Sequence, residues 1–494
     1  MIALPLGLCC VATALLYRWL GGGRWSRSDR LRWAVAWGPA FAFGVPSCAL
    51  FAARWCGLDG VLPWGLAALG LIAAFALAAR RARQHELATS SPVVPSAETP
   101  ERGASSARGA VAVRVATALL LAVTALMLLD AFRTWQRAQP DGMWDAMAIW
   151  NSAARFLARA EAERLPELFS AQSEGHPEYP LLLGAAVAAQ WELAGHESKA
   201  IPLGMSLGFA IGLAAALHLL VRICGARLFA APAVLLVYST PVVWKWAFSQ
   251  VADLPMVYLA LAAALPLVAR LQDRTSPPAP PVLSGFVLGL LPWTKAEGTL
   301  MAATLLFLFL VLRRLSRGDP RGLLRGSQSG SHRWALGFAL GALPGAASLV
   351  LFKLTWAPLV PERATFLRSS GTVAKFLDLE RWRLVAAEML HHLDPRTGDA
   401  LWGLAWPLLG LGLLFWGGRL RWRTAPGAIL LGGAAAITFG IYVLAFLLSP
   451  FDLAWHLSSA LDRLLMHLLP LLAAAVFALA GEDPPDVRGA SPAQ

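Results

Sequence analysis

The chain has 494 residues, of which 57% are hydrophobic and 15% charged, with a formal net charge of +12 at pH 7. That apolar load, laid out in many runs of roughly 17–23 residues, excludes a soluble globular enzyme and describes repeated crossing of a hydrocarbon layer about 30 Å thick. The positive excess is mostly arginine at the ends of the apolar runs, where membrane insertion places it, so it does not point to nucleic acid as a partner.

Along the chain, the opening MIALPLGLCCVATALLYRWL carries no basic residue ahead of its apolar stretch and reads as a retained first span rather than a cleaved signal peptide. Further spans are expected at about 33–53, 61–79 and 110–131, then at about 200–221, 228–246, 254–270, 281–295, 297–313, 334–355, 400–417, 426–448 and 463–480. With the first at about 2–17, these make about 13 crossings of an all-α polytopic membrane protein. Placing the Arg18–Arg32 segment in the cytoplasm and alternating from there puts five other arginine-bearing turns inside as well: Arg80–Arg83, Arg222–Arg227, Arg270–Arg274, Arg313–Arg333 and Arg419–Arg423. This works only if Leu181–Gly195, which is short and carries Gln190 and Glu192, is a juxtamembrane or re-entrant helix. The five cysteines, Cys9, Cys10, Cys48, Cys56 and Cys224, lie in or beside apolar runs without metal-ligand spacing and read as packing residues.

Composition divides the chain into a three-span module (1–80), a Ser/Pro/Ala-rich cytoplasmic linker read as disordered (81–109), a core (110–355) with a large outer loop (132–199), an outer loop with the C-terminal spans (356–480), and a cytoplasmic tail (481–494). No convincing internal repeat accompanies this order, which argues against an inverted-repeat transporter.

Polar clusters then fall at one end of the apolar segments, and on the arginine topology all of them face the extracytoplasmic side. Ionisable groups beside hydrocarbon are costly and mark sites rather than scaffold. In WDAMAIWN, Asp145 begins an interfacial helix with Trp150 and Asn151; a helix-dipole carboxylate would explain Asp145 equally well. Asp141, in the PDG turn, reads as turn chemistry. HPEYP holds His176, Glu178 and Tyr179 between proline-restricted positions, suited to a phosphate or sugar hydroxyl or to a self-bonded loop. QVADLP offers Gln250 and Asp253, the latter also a natural helix N-cap. WTKAEG splits an apolar run too long for one span, so Lys295 and Glu297 read as a tight turn facing one cavity, with Trp293 as a platform for a sugar ring or lipid chain. In LDRLLMH, Arg463 and His467 are four apart on one helix face, and Asp462 pairs locally with Arg463.

Taken in order, WDAMAIWNSAARFL, HPEYPLLL, QVADLPM and WTKAEG resemble the bacterial GT-C glycosyltransferases of the superfamily that includes protein O-mannosyltransferases and lipid A aminoarabinose transferases. The resemblance covers about residues 110–480 and implies a GT-C core, a polyprenyl-phosphate-linked sugar donor, a glycan, lipid or protein acceptor reached from outside a bacterial cytoplasmic membrane, and Asp145 as catalytic base. Glu178 stands where aspartate is usual in that family, Val251 where tyrosine is usual and Ala296 where asparagine is usual, changes that leave the charged groups in place. No metal or other cofactor is expected, a divalent ion among Asp145, Glu178 and Asp253 being the alternative. An O-antigen polymerase or ligase type of enzyme using lipid diphosphate glycans, or a lipid or sugar transporter, are the other function classes.

Overall fold

The structure, a computed structural model, describes residues 2–21, 26–89, 104–171, 176–272, 279–317, 331–358, 371–394, 401–419 and 425–481. Every regular element among them is helical. Ten of these helices are long and apolar enough to cross a membrane. The chain is therefore a polytopic membrane protein, with fewer full-length candidate spans than the 13 expected.

The difference has local causes. The segment expected as one span at 228–246 is broken into α9 (Ala230–Tyr238) and α10 (Pro241–Ala247), and the run that includes them bends by 70°. Pro241 forces Thr240 into an extended conformation and ends the first piece. The segments at 281–295 and 400–417 become helices of 14 and 12 residues, Pro281–Thr294 (α12) and Ala405–Trp416 (α17). At 1.5 Å per residue these reach about 21 and 18 Å, short of the hydrocarbon thickness.

The first helices, α1 (Ala3–Leu20), α2 (Arg27–Trp55) and α3 (Val61–Thr89), belong to the same packed body as the rest. Ser26 caps α2 by accepting the Asp29 N–H at 3.0 Å. From Trp33 to Ala53 α2 is apolar on nearly every face and mostly buried, so it is a central helix rather than a peripheral one. At its far end the buried Arg54 pairs with Asp59 and with Glu192 of α7 (Leu182–Ala194), whose carboxylate also accepts from Trp64 Nε1 at 2.8 Å. Glu192, the polar residue that argued against a crossing at 181–195, is thus the tie between the first three helices and α7. Residues Leu182–Trp191 are all buried, so α7 is enclosed by protein.

Helix α3 continues to Thr89 and α4 (Ala104–Ala138) begins at Ala104, so both ends of the expected linker are helical, and residues 90–103 lie outside the described residues. The expected tail after Gly481 lies outside them as well. After α4 come α5 (Asn151–Arg159), α6 (Leu165–Ala171), α7, α8 (Ala200–Ile223), α9 and α10, then α11 (Asp253–Gln272), α12, α13 (Ala296–Arg317) and α14 (Ser331–Thr355). Short α15 (Thr372–Leu377) and amphipathic α16 (Leu379–Leu393) precede α17, α18 (Pro426–Leu447) and α19 (Leu453–Leu479).

Glycines at four-residue spacing let α12 and α14 touch backbone to backbone. Gly285 and Gly289 face Phe338 and Ala342, while Gly341 and Gly345 face Val282 and Gly289. A Cβ on Gly341 would stand 2.0 Å from the Val282 carbonyl oxygen. We expect Gly341→Ala to destabilise the protein by at least about 1–3 kcal/mol. Gly70→Ala, where nothing lies within 4 Å, should leave the thermal midpoint in detergent unchanged or raised. Because α12 ends immediately before Lys295, this crossing also sets the height of the site described next.

Candidate functional site

The PDG turn places the first carboxylate. Gly142 has φ +77°, and a Cβ there would meet the Ser249 carbonyl oxygen and the Ala146 methyl, both at 2.6 Å. The next residue donates its N–H to that Ser249 oxygen at 3.2 Å, so the loop before α5 is laid directly on the loop before α11. Ala146–Trp150 then forms a π-helical turn, a rare wide turn that concentrates at functional sites. Asp145 precedes it without capping it. Its carboxylate instead pairs with the guanidinium of Arg463 on α19, 318 residues away.

Among the described residues two non-glycines adopt left-handed backbone conformations, His176 (φ 55°) and Gln250 (φ 59°). Such residues cost about 1–3 kcal/mol each and persist where their surroundings over-determine them. For Gln250 the constraint is visible: its Nε2 donates to the Pro140 carbonyl at 3.0 Å, and its Oε1 accepts from Asn151 Nδ2 at 3.3 Å. The His176 ring stacks on Tyr179 with centroids 4.7 Å apart, and Tyr179 lies 5.7 Å from Trp150. Glu178 sits 3.4 Å from His176 Nδ1, and its carbonyl accepts from Lys353 of α14. Tyr179 in turn lies within electrostatic reach of both Lys295 and Arg463.

Deeper lies Asp253, the first residue of α11. Its Oδ1 accepts from Lys295 Nζ at 2.9 Å and meets His467 Nε2 at 2.8 Å. Lys295 also pairs with Glu297 at 3.1 Å. The other nitrogen of His467, Nδ1, lies 2.9 Å from Tyr442 Oη of α18. A proton on Nε2 donated to Asp253 leaves Nδ1 to accept the Tyr442 hydroxyl, so the chain Tyr442, His467, Asp253, Lys295, Glu297 closes with its donors and acceptors matched. Lys295 occupies the single extended residue between α12 and α13, which turns its side chain off both helices.

The two layers differ in access. Asp145 and Arg463 side chains are 27% and 22% exposed, whereas Asp253, Lys295 and His467 are 2%, 7% and 0% exposed. One layer is partly exposed and the other is buried.

Most residues expected from sequence are brought together here: Asp145, Trp150, Asn151, His176, Glu178, Tyr179, Gln250, Asp253, Lys295, Glu297, Arg463 and His467. Trp293 is not. Its ring is buried among Phe51 and Phe352, and its Nε1 donates to Ser47 of α2 at 3.0 Å. Asp462, expected to pair with its neighbour, accepts the Arg463 backbone N–H at 2.8 Å and also accepts from Lys245 of α10 at 2.7 Å, while the Arg463 guanidinium goes to Asp145. Trp246 lies beneath both cations, 4.9 Å from Lys245 and 5.2 Å from Arg463. Sequence reasoning missed Lys245, Trp246 and Tyr442. A lysine and a tryptophan inside the otherwise apolar 228–246 run were the available signal for the first two.

Among the described residues no three His, Cys, Asp or Glu side chains come together as a metal-ligand set. Compared with family models, curated proteins and solved structures, the chain matches none.

Proposed function

We propose that the chain is an inverting glycosyltransferase that moves a sugar from a polyprenyl-phosphate-linked donor to an acceptor hydroxyl or amine at the extracytoplasmic face of a bacterial cytoplasmic membrane. The observation that carries this reading is the Asp145–Arg463 pair, an accessible carboxylate held against an accessible guanidinium and backed by the buried Lys295 network. The sequence resemblance to GT-C enzymes supports the same reading.

In this mechanism the incoming donor phosphate takes the Arg463 guanidinium in a two-pronged contact and releases Asp145. Asp145 then accepts the acceptor's proton as the new oxygen–carbon bond forms at the anomeric carbon and the carbon–phosphate oxygen bond breaks on the opposite face. Arg463 neutralises the charge that develops on the departing lipid phosphate, and such preorganised stabilisation is often the largest catalytic term. Lys295, enclosed by Asp253 and Glu297, acts through position and field, His176 and Tyr179 offer partly exposed polar groups, and the buried Glu178 and Gln250 hold the loops that carry them.

Native mass spectrometry of detergent-purified protein tests the donor class. Wild type should carry a polyprenyl monophosphate or its glycosylated form, and Arg463→Ala and Lys295→Ala should carry less. A diphosphate lipid would replace this reading with an O-antigen polymerase or ligase type of activity. No bound lipid, together with solute transport by vesicles, would replace it with a transporter.

A further inference from the structure

A second feature lies at the other end of α2. Ser47 and Phe51 of α2 touch Trp293, two residues from Lys295, whereas Arg27 opens the helix 20 residues earlier, roughly 30 Å away at 1.5 Å per residue. Near that end α1, α2 and α8 enclose a groove of about 920 Å³. Its walls are apolar or weakly polar, among them Leu6, Ala14, Val35 and Ile211, and Ala14 and Ile211 are exposed, so it opens sideways between candidate membrane spans. Tyr17, Arg27 and Ser28 line its terminal part.

That mouth is cationic beyond its own lining. The Arg30 guanidinium lies over the Tyr17 ring at 4.6 Å, and its Nε is buried without a hydrogen-bond partner. Arg32 is answered by Asp29 at 2.7 Å, and Arg222 of α8 lies close enough to Arg32 and Arg227 to feel their charge. His218, one turn before Arg222, has an unpartnered buried Nε2 within reach of the same arginines. An open apolar trough ending in arginines that lack enough carboxylates matches an amphiphile with a long apolar chain and an anionic head. Basic pockets between membrane helices recognise lipid head groups in this way.

We propose that the groove between α1, α2 and α8 binds an anionic bilayer phospholipid, with an acyl chain lying along Val35 and Ile211 and the phosphate at Arg27 and Arg30. The site is about the length of α2 from the Lys295 network and does not rest on glycosyl transfer.

The test is native mass spectrometry of the full chain from micelles containing equal amounts of phosphatidylglycerol and phosphatidylcholine. Wild type should retain phosphatidylglycerol at least about tenfold over phosphatidylcholine. The double variant Arg27→Gln, Arg30→Gln should lower phosphatidylglycerol retention roughly 25-fold, about fivefold per cation. Ala14→Trp, which fills the trough without touching charge, should lower retention of both lipids. Equal retention of the two lipids by wild type overturns the proposal and needs no variant to be folded. Undiminished phosphatidylglycerol binding in both variants also overturns it, by moving the lipid elsewhere on the surface. The lipid masses separate a phospholipid from a prenyl phosphate bound in the same place.

Discussion

Asp145→Asn should lower sugar transfer by roughly 10²–10⁴-fold, the range a positioned general base contributes, while leaving the protein folded. The amide keeps the size of the side chain and can still accept a hydrogen bond from Arg463, so the loop on the Ser249 carbonyl keeps its anchors. What it loses is the capacity to take a proton. The control is Asp141→Asn in the same loop. Asp141 is partly exposed and paired with Lys199 at 2.7 Å, a surface contact worth about 0–1 kcal/mol. It should transfer at close to the wild-type rate. Initial rates from a polyprenyl-phosphate sugar in mixed micelles, with thermal midpoints beside them, decide the matter. If Asp145→Asn keeps near-wild-type rates, the base assignment is wrong, and if both variants fail together, the loop's geometry is at issue.

The site was legible in the sequence where burial in an apolar context makes a charge expensive. Asp145, Asp253, Lys295, Arg463 and His467 stand out because each interrupts or borders a hydrocarbon-length run, and the structure connects them through pairs up to 318 residues apart. Pairing itself was not legible. Nothing in the spacing says that Asp253 accepts from Lys295 and His467 together, or that Asp462, besides accepting the N–H of its neighbour Arg463, pairs with Lys245. Trp293 shows the limit on the apolar side. A tryptophan beside a charged turn fits a sugar platform and a helix-packing residue equally, and the choice depends on Ser47 and Phe51 of a helix near the other end of the chain.

The fold was legible to the same degree. Hydropathy locates helices because the bilayer sets their length, but it does not see breaks. Proline at 241 and the extended Lys295 interrupt runs whose average hydropathy stays high, so one expected span is bent and another is short. The first three helices looked separable because their polar groups are few. Arg54, buried at their far end and tied to Glu192, shows that few polar groups can still be decisive ones.

A last expectation concerns why a charge network should be buried at all. Removing one member of a buried ion pair leaves an uncompensated charge and typically costs about 3–5 kcal/mol, whereas replacing both members by apolar residues is often neutral. Asp253→Ala should therefore be strongly destabilised, because Lys295 keeps only Glu297 and His467 loses its acceptor. Lys295→Met should also be destabilised, though less, since His467 still faces Asp253. The double variant should be more stable than the sum of the two losses, by a coupling of about 0.5–3 kcal/mol. Transfer should not follow stability: on the proposed mechanism the double variant should be as inactive as either single one, because the network serves to position Arg463 rather than to hold the bundle together. Detergent unfolding midpoints and transfer rates measured on all four proteins separate the cases. Activity recovering in step with stability would make the network scaffold, and stability recovering alone would mark it as machinery that the bundle retains at a cost.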